Sequence, residues 1–370
     1  MAVRIGTFNI ENLLTRFDFT GFRNQLRSDR VLRLYQIATA ADFQRLEEAR
    51  MISLTDDTRQ LTALAIAEAD ADILCLQEVE SLEALHAFEF GYLYRMLGEG
   101  YRNKYLVEGN DSRGIDVAVM MRETTRDGEP IEFVGLRSHA DATFDGMGLY
   151  DQGLAPAEKP HDRIFRRDCL EIDVRVAGRP LTLYVVHFKS MNTPRDNMDG
   201  RTASMPLRTA EARAVRRIIE ARFGPGSGAA TQNFMICGDM NDYQERLVIS
   251  GSPRRGLTYQ PVTEERSALD VFSADGFAEN IVRRRPADDR WTLYHAQGLQ
   301  VRHLCQLDYL WLSPALSRAN PDAVPEIVRA GQPFRTPFPP GQEVDRFPRT
   351  GWDRPKASDH SPVAVELVVP

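Results

Sequence analysis

The apolar residues of this chain gather in short, β-rich runs, and nearly every run stops against polar residues. Val3 to Phe8 leads into Asn9 and Glu11, Ile73 to Leu76 into Gln77 and Glu78, and Leu181 to Val186 into His187 and Lys189. Further along, Phe234 to Cys237 leads into Gly238, Asp239 and Asn241, and Leu304 to Leu307 into Asp308, while Asp359 and His360 stand just before the run from Pro362 to Val369. Runs of this length and composition predict buried strands. Side chains alternate across a strand, so Asn9/Glu11, His187/Lys189 and Asp239/Asn241 each reach one side of a sheet wherever the extended conformation persists. A single acid after a strand is ordinarily a turn or cap residue. Six strand ends carrying acids, amides and imidazoles point instead to one shared polar rim.

Between the strand ends the spacing changes to that of helices. Asp57 to Ala69 carries Leu61 and Leu64, and Leu207 to Arg222 carries Ala210, Ala214, Val215, Ile218 and Ile219 on one face, so both read as covering helices. Residues 18 to 54 read as a helical insertion, and the Gly- and Pro-bearing segments 138 to 165 and 331 to 356 as long loops of the kind that often carry function. No repeat and no shift of composition marks a linker, so a single domain over 1–370 is expected.

Composition narrows the classes. With 42% hydrophobic and 27% charged residues the chain can build a sizeable core and is not a disordered protein. A net charge of -7 argues against a uniformly basic nucleic-acid surface, leaving local clusters such as Arg254-Arg255 and Arg283-Arg284-Arg285. Cys75, Cys169, Cys237 and Cys305 lack the paired spacing of a zinc site or a small disulfide framework and read as buried free thiols. No apolar stretch is long enough for a membrane span and MAVRIGTFNI is no secretory leader, so a cytoplasmic protein is expected, or a secreted one had a signal been removed.

The wording at the strand ends resembles the endonuclease/exonuclease/phosphatase family of deoxyribonuclease-I-like metal-dependent phosphodiesterases. The resemblance runs along almost the whole chain in the family's order: TFNIENL at 7 to 13, LQEVE at 76 to 80, RGIDVAVM at 113 to 120, VVHFKS at 185 to 190, GDMND at 238 to 242, LDYLWLSP at 307 to 314 and SDHSPV at 358 to 363. It implies an α/β (α+β) fold, a four-layer α/β/β/α sandwich of two mixed sheets packed face to face with helices outside. The site would lie at one end of the sandwich.

It also implies roles. Hydrolysis of a phosphodiester needs charge neutralisation at phosphate, an aligned and deprotonated water, and help for the leaving oxygen. Glu78, Asn9 and Asp359, with Glu11 as a direct or water-mediated contributor, are the expected ligands of magnesium, with manganese or calcium as alternatives. Asp239 would orient or deprotonate the water or hold a second metal, and Asn241 would donate to a phosphate oxygen. His360 with Asp308 reads as an imidazole–carboxylate pair, and His187 as a second imidazole for the leaving oxygen or the developing charge. Arg167 in FRRDCLEI matches an arginine that some family nucleases use on phosphate; Arg113 and Lys189 border the site, and Trp291 and Tyr294 are candidates to stack on a base. The expected substrate is nucleic acid or another phosphodiester, with no protein partner. A phospholipid, sphingomyelin or inositol-phosphate hydrolase is the alternative enzyme, and a catalytically inactive interaction protein the alternative outside enzymes.

Overall fold

The computed structural model describes residues 2–13, 39–154, 157–191, 199–252, 254–297 and 301–370. Its strands in chain order are β1 (Ala2–Leu13), β2 (Ile73–Val79), β3 (Asn103–Leu106), β4 (Asp116–Met121), β5 (Ile131–Ser138), β6 (Cys169–Val176), β7 (Arg179–His187) and β8 (Phe234–Asp239), then β9 (Glu245–Ser252), β10 (Gly256–Thr263), β11 (Glu279–Asn280), β12 (Leu293–Gln297), β13 (Val301–Cys305), β14 (Asp308–Leu312), β15 (Glu326–Ile327) and β16 (Val363–Val368). Two six-stranded sheets form, in the orders β15-β16-β1-β2-β4-β3 and β11-β14-β8-β7-β6-β5. Both are mixed: β1 runs parallel to β2 and β7 parallel to β8, while the other pairs are antiparallel.

Alternation sorts each strand into two faces. In β8, Met235 and Cys237 join Ile5, Cys75, Val119, Leu183 and Leu310 in the core between the sheets. Phe234 and Ile236 point the other way, against Ala210, Val215 and Ile219 of the helix Gly200–Phe223. The first sheet repeats the scheme, with Phe8, Leu74 and Leu76 against Leu61, Ala65 and Ile66 of the helix Ala40–Ala69. Strands buried on both faces need apolar residues at successive positions, which is why their runs are nearly unbroken. Each such side chain taken from water stabilises the fold by roughly 1.5–3 kcal/mol before entropy is counted. The result is the four-layer arrangement that the resemblance implied.

The helix expected over 57–69 is the second part of one 30-residue helix that begins at Ala40, capped by Thr39, whose side chain accepts from Asp42 N while Asp42 answers to the Thr39 backbone. Residues 14–38, most of the expected insertion, lie outside the described residues. The segment 138–165 is packed rather than open, burying Phe144, Leu149, Ile164 and Phe165 against the helix side of the second sheet. A smaller four-stranded sheet, β10-β9-β13-β12, stands between β8 and β14 in sequence, with Leu247, Ile249, Trp291, Leu304 and Phe338 as its core. The four cysteines are buried free thiols. Among the described residues no helix is long and apolar enough to cross a membrane.

Candidate active site

The inward-facing row of each central strand continues past its last apolar residue. Val3 and Ile5 lead by twos to Asn9, Leu183 and Val185 to His187, Met235 and Cys237 to Asp239, and Leu312 and Leu310 back to Asp308. The sheets therefore deliver an amide, an imidazole and two carboxylates to the same mouth of the sandwich, where all four are buried. The β7–β8 register sets His187 directly opposite Asp239, and β8–β14 sets Asp239 opposite Asp308. That close approach needs glycine at 238: its φ is +137°, and a Cβ there would collide with the Val186 carbonyl oxygen.

Asp239 Oδ2 is the hub. Asn9 Nδ2 and Asn241 Nδ2 each donate to it at 3.0 Å, His187 Nε2 stands 3.4 Å away and His360 Nε2 3.8 Å away. Burial alone would push this carboxyl up, but His360, the hydrogen bond from His187 and the Asn241 backbone N–H outweigh it and hold Asp239 well below the ordinary carboxylate range. His360 Nδ1 lies 2.8 Å from Asp308 Oδ2. Burial opposes a charge on His360, yet Asp308 and Asp239 hold its pKa well above the ordinary imidazole value. His187 moves the opposite way, down to about 4, through burial and the nearby Arg167. It is a neutral imidazole at physiological pH, and with Nδ1 buried without a hydrogen-bond partner its proton belongs on Nε2, facing Asp239.

Glu78 arrives differently. It follows the outward-facing Leu74 and Leu76, so strict alternation would turn it toward the helices. A register shift between Gln77 and Val79 and a φ of +67° at Glu78 swing it round instead. Its Oε1 accepts from Asn9 Nδ2 at 3.3 Å and its Oε2 from Asn12 N at 3.0 Å. The pairs Asn9/Glu11 and Asp239/Asn241 also depart from simple alternation. The first side chain of each accepts from the backbone N–H of the second, at 3.0 and 2.9 Å, and the second residue has a positive φ, so these are Asx turns closing the strand ends.

Glu11 is turned to bracing work. Its carboxylate is met by Arg354 at 2.6 Å, by Lys356 at 3.0 Å and by the Asp359 backbone N–H at 3.0 Å. Those partners engage both oxygens, so Glu11 places Asp359 and ties the loop at 354–359 to the end of β1. Arg167 is buried at the site wall, with Nε 2.8 Å from Asp111 and Nη1 donating to the Phe188 carbonyl at 3.1 Å. Arg113 grips the same Asp111, with Nη2 3.0 Å away, and its charge is favoured by Asp111 and by Glu78. Lys189 donates its backbone N–H to Glu211, while burial and Arg167 lower the pKa of its ammonium. Trp291 is in the core: it is 2% exposed, Nε1 donates to Gln342 and the Arg329 guanidinium covers its ring at 4.1 Å, so the ring has no open face for a base. Tyr294 packs against the same core.

Two supports lay beyond the sequence reading. Ser358 Oγ donates to the Asn9 carbonyl at 2.7 Å and accepts from His360 N at 3.0 Å, tying β1 to the histidine; its place beside Asp359 in SDHSPV was the available signal. Thr292 Oγ1 accepts from the backbone N–H groups of Leu307 and Asp308, and nothing in the sequence marks it.

The donor set fits a hard divalent cation. Burial and the neighbouring Asp359 push the Glu78 carboxyl up to about 7, so two acids compete for one buried place where a cation would favour both charges. Among the described residues no three His, Cys, Asp or Glu side chains form a ready-made cluster. Magnesium does not require one, since it is commonly held by one or two carboxylates and completes its shell with water and substrate oxygens.

Known proteins share this architecture. The truncated Caenorhabditis elegans TDP2 is 12% identical with a TM-score of 0.50, covering 99% of this chain and 97% of its own. TDP2 of D. rerio, in complex with a single-strand DNA product, is 14% identical with a TM-score of 0.50 and 99% coverage of both chains. The human nocturnin catalytic domain, with a bound sulfate anion, is 12% identical with a TM-score of 0.51, covering 100% of this chain and 95% of its own. At this identity the likeness shows the fold alone, and no curated protein matches the chain by sequence. The profile described as the endonuclease/exonuclease/phosphatase family, by contrast, matches residues 6–360, and the chain belongs to that family.

Proposed function

We propose that this chain is a divalent-metal-dependent phosphodiester hydrolase acting on nucleic acid, and that residues 1–370 work as one catalytic unit. The observation that carries the reading is the convergence on Asp239 Oδ2 of Asn9, Asn241, His187 and the His360–Asp308 pair at the mouth of the sandwich. Glu78, Asn9 and Asp359 would hold the cation, magnesium with manganese or calcium as alternatives, whose chemistry there is Lewis-acid neutralisation of the phosphate.

The side chains divide the remaining work. Asp239, ionised over the whole physiological range, accepts the hydrogen bond that aligns the attacking water. His360, kept protonated by two carboxylates, donates to a phosphate oxygen as charge builds on it. His187, neutral with its N–H inward, suits hydrogen bonding to the developing charge better than proton donation. Asn241 Nδ2, which also donates to the Phe188 carbonyl at 3.1 Å, sits beside the same oxygens.

Two features favour a diester. Arg113 and Arg167 both spend charge on Asp111, leaving little surplus for the second negative charge of a monoester. The fold likeness to a TDP2 that holds a single-strand DNA product favours nucleic acid among diesters. The test is a panel of bis-p-nitrophenyl phosphate, a single-stranded oligonucleotide, plasmid DNA, RNA, sphingomyelin and an inositol polyphosphate, each with magnesium, manganese or calcium. Nucleic-acid cleavage exceeding monoester cleavage is expected. Hydrolysis of sphingomyelin or inositol phosphate with DNA and RNA left intact under every metal would overturn the substrate reading.

A further inference from the structure

The segment 331–356 ends against the site, and it is firmly built. Phe334 N donates to the Gly351 carbonyl at 3.0 Å and Arg335 N to the Trp352 carbonyl at 2.8 Å, which lays the two ends of the segment side by side. Gly351 N donates to the Pro355 carbonyl at 2.8 Å, closing a turn so tight that a Cβ on Gly351 would collide with the Arg354 carbonyl. Arg335 pairs with Asp353 at 2.7 Å, and Arg354 and Lys356 grip Glu11, which in turn holds the backbone of Asp359. Trp352 is thus pinned through its backbone, two residues from an arginine that touches a strand-end residue of the site.

Its side chain is nevertheless open. Trp352 is 72% exposed and Phe334, next to Gly351 in the paired backbone, is 54% exposed, whereas Trp291 and Trp311 are 2% and 1% exposed. A large ring left in water on a rigid turn gives up little freedom when it is covered, which makes it a good anchor. Its surroundings indicate what would cover it. Residues 331–356 carry five basic and three acidic side chains; Arg335, Arg349, Arg354 and Lys356 each pair with a carboxylate, which leaves Arg346 as the cation not spent on an acid among the described residues. Arg354 is 49% exposed even while it bonds Glu11. The Arg346 guanidinium lies between two rings, 3.8 Å from the Phe338 centroid and 5.7 Å from that of Phe334, and donates to the Val344 and Thr336 carbonyls, while among the described residues no carboxylate stands within ion-pair distance of it. Aromatic faces interleaved with guanidinium groups suit a flat, electron-rich ring on an anionic backbone.

We propose that Trp352, with Phe334 beside it, is the stacking platform that holds a nucleobase flanking the scissile phosphodiester of a single-stranded nucleic acid. This rests on the nucleic-acid reading above and assigns its substrate-positioning residue. Trp352 acts through the substrate's placement and takes no part in bond breaking.

The experiment uses the full chain with a single-stranded oligonucleotide, the same strand made abasic near its cleavage site, and phosphatidylcholine vesicles. Trp352 is the exposed tryptophan, so acrylamide quenching of tryptophan fluorescence, measured with EDTA present, reports binding without turnover. The oligonucleotide should protect the fluorescence from acrylamide, and the abasic strand and the vesicles should not. In kinetics Trp352→Ala should raise KM for the oligonucleotide by roughly ten-fold, the scale of one base–aromatic stack, with kcat within about two-fold. Trp352→Phe should recover most of that loss, Phe334→Ala should show a smaller KM effect, and the abasic strand should be cut alike by wild type and Trp352→Ala. Oligonucleotide cleavage with KM unchanged in Trp352→Ala overturns this proposal and spares the nuclease reading. Fluorescence that responds to vesicles and not to the oligonucleotide overturns it in favour of a lipid surface. A wild-type chain that neither binds nor cuts the oligonucleotide overturns both.

Discussion

The mouth of the sandwich and the turn at 351–355 are joined through Arg354 and Glu11 and are built on opposite plans. At the mouth, Asn9, His187, Asp239 and Asp308 are buried ends of the rows that form the core, and their partners come from the neighbouring strand, from the opposite sheet and from His360. At the turn, the backbone is tied down while Trp352 stands in water. Reaction chemistry needs fixed distances and shifted proton affinities, which a core delivers. Substrate choice needs an open surface, which a pinned loop delivers without disturbing the core. Changes at the mouth should therefore act on the rate, and changes at the turn on substrate affinity.

The largest expected effect is loss of metal. After EDTA treatment and buffer exchange, phosphodiester cleavage should fall by at least about four orders of magnitude and return on addition of magnesium or manganese. Next comes the hub: Asp239→Asn keeps the shape but removes the charge that Asn9, Asn241 and both imidazoles address, and kcat should drop on the order of a thousand-fold in steady-state assays. Breaking the 2.8 Å pair by Asp308→Asn or His360→Gln should cost kcat about a hundred-fold while metal affinity, read by calorimetry, stays close to normal. Glu78→Ala should show the converse, with weakened metal binding by the same method. If Glu78→Ala and His360→Gln lost metal equally, the division between ligand and reacting group would fail.

The smallest effect sharpens the comparison from outside both regions. His303 in β13 has its pKa lowered to about 3 by burial and by His295, Arg246 and Arg201. The unfolded chain, where the imidazole titrates near its ordinary value, binds the proton first as pH falls. The stability that His303 contributes is whole above about pH 6.5 and drains away toward pH 3, by a few kcal/mol at most. His303→Gln should flatten that part of the urea stability–pH curve between pH 6.5 and 4 while leaving kcat at neutral pH unchanged. A curve as steep as wild type would show that other groups carry the acid sensitivity.

The contrast between the regions also explains what the sequence disclosed. The strand ends were legible because apolar runs buried on both faces stop abruptly against polar residues, and Asn9 and Asp239 continue the inward rows of Val3–Ile5 and Met235–Cys237. Glu78 reached the same place by a backbone reversal that hydrophobic patterning does not encode. The rotation of Asn241 and Glu11 into Asx turns was hidden for the same reason: a hydrogen bond from backbone to the preceding side chain overrides alternation. The bracing contacts of Glu11 were hidden because its cationic partners, Arg354 and Lys356, are more than 340 positions away in the chain. Trp291 and Trp352 were indistinguishable by residue type; burial under Arg329 separates one from the other, and burial is a tertiary fact. The four-stranded sheet escaped notice because β9, β10 and β12 are half-buried or exposed over most of their length and carry few buried apolar residues, and only the β9–β13 pairing joins its two pairs of sequence-adjacent strands.

The most direct measurement is cleavage of an end-labelled single-stranded oligonucleotide by the chelated full chain as magnesium is titrated back, with wild type and Asp239→Asn run side by side. The account predicts no cleavage before metal is added, a saturable rise for wild type, and a rise roughly a thousand-fold smaller for Asp239→Asn. Full turnover in the chelated sample, or equal rates for the two proteins at saturating magnesium, would contradict it.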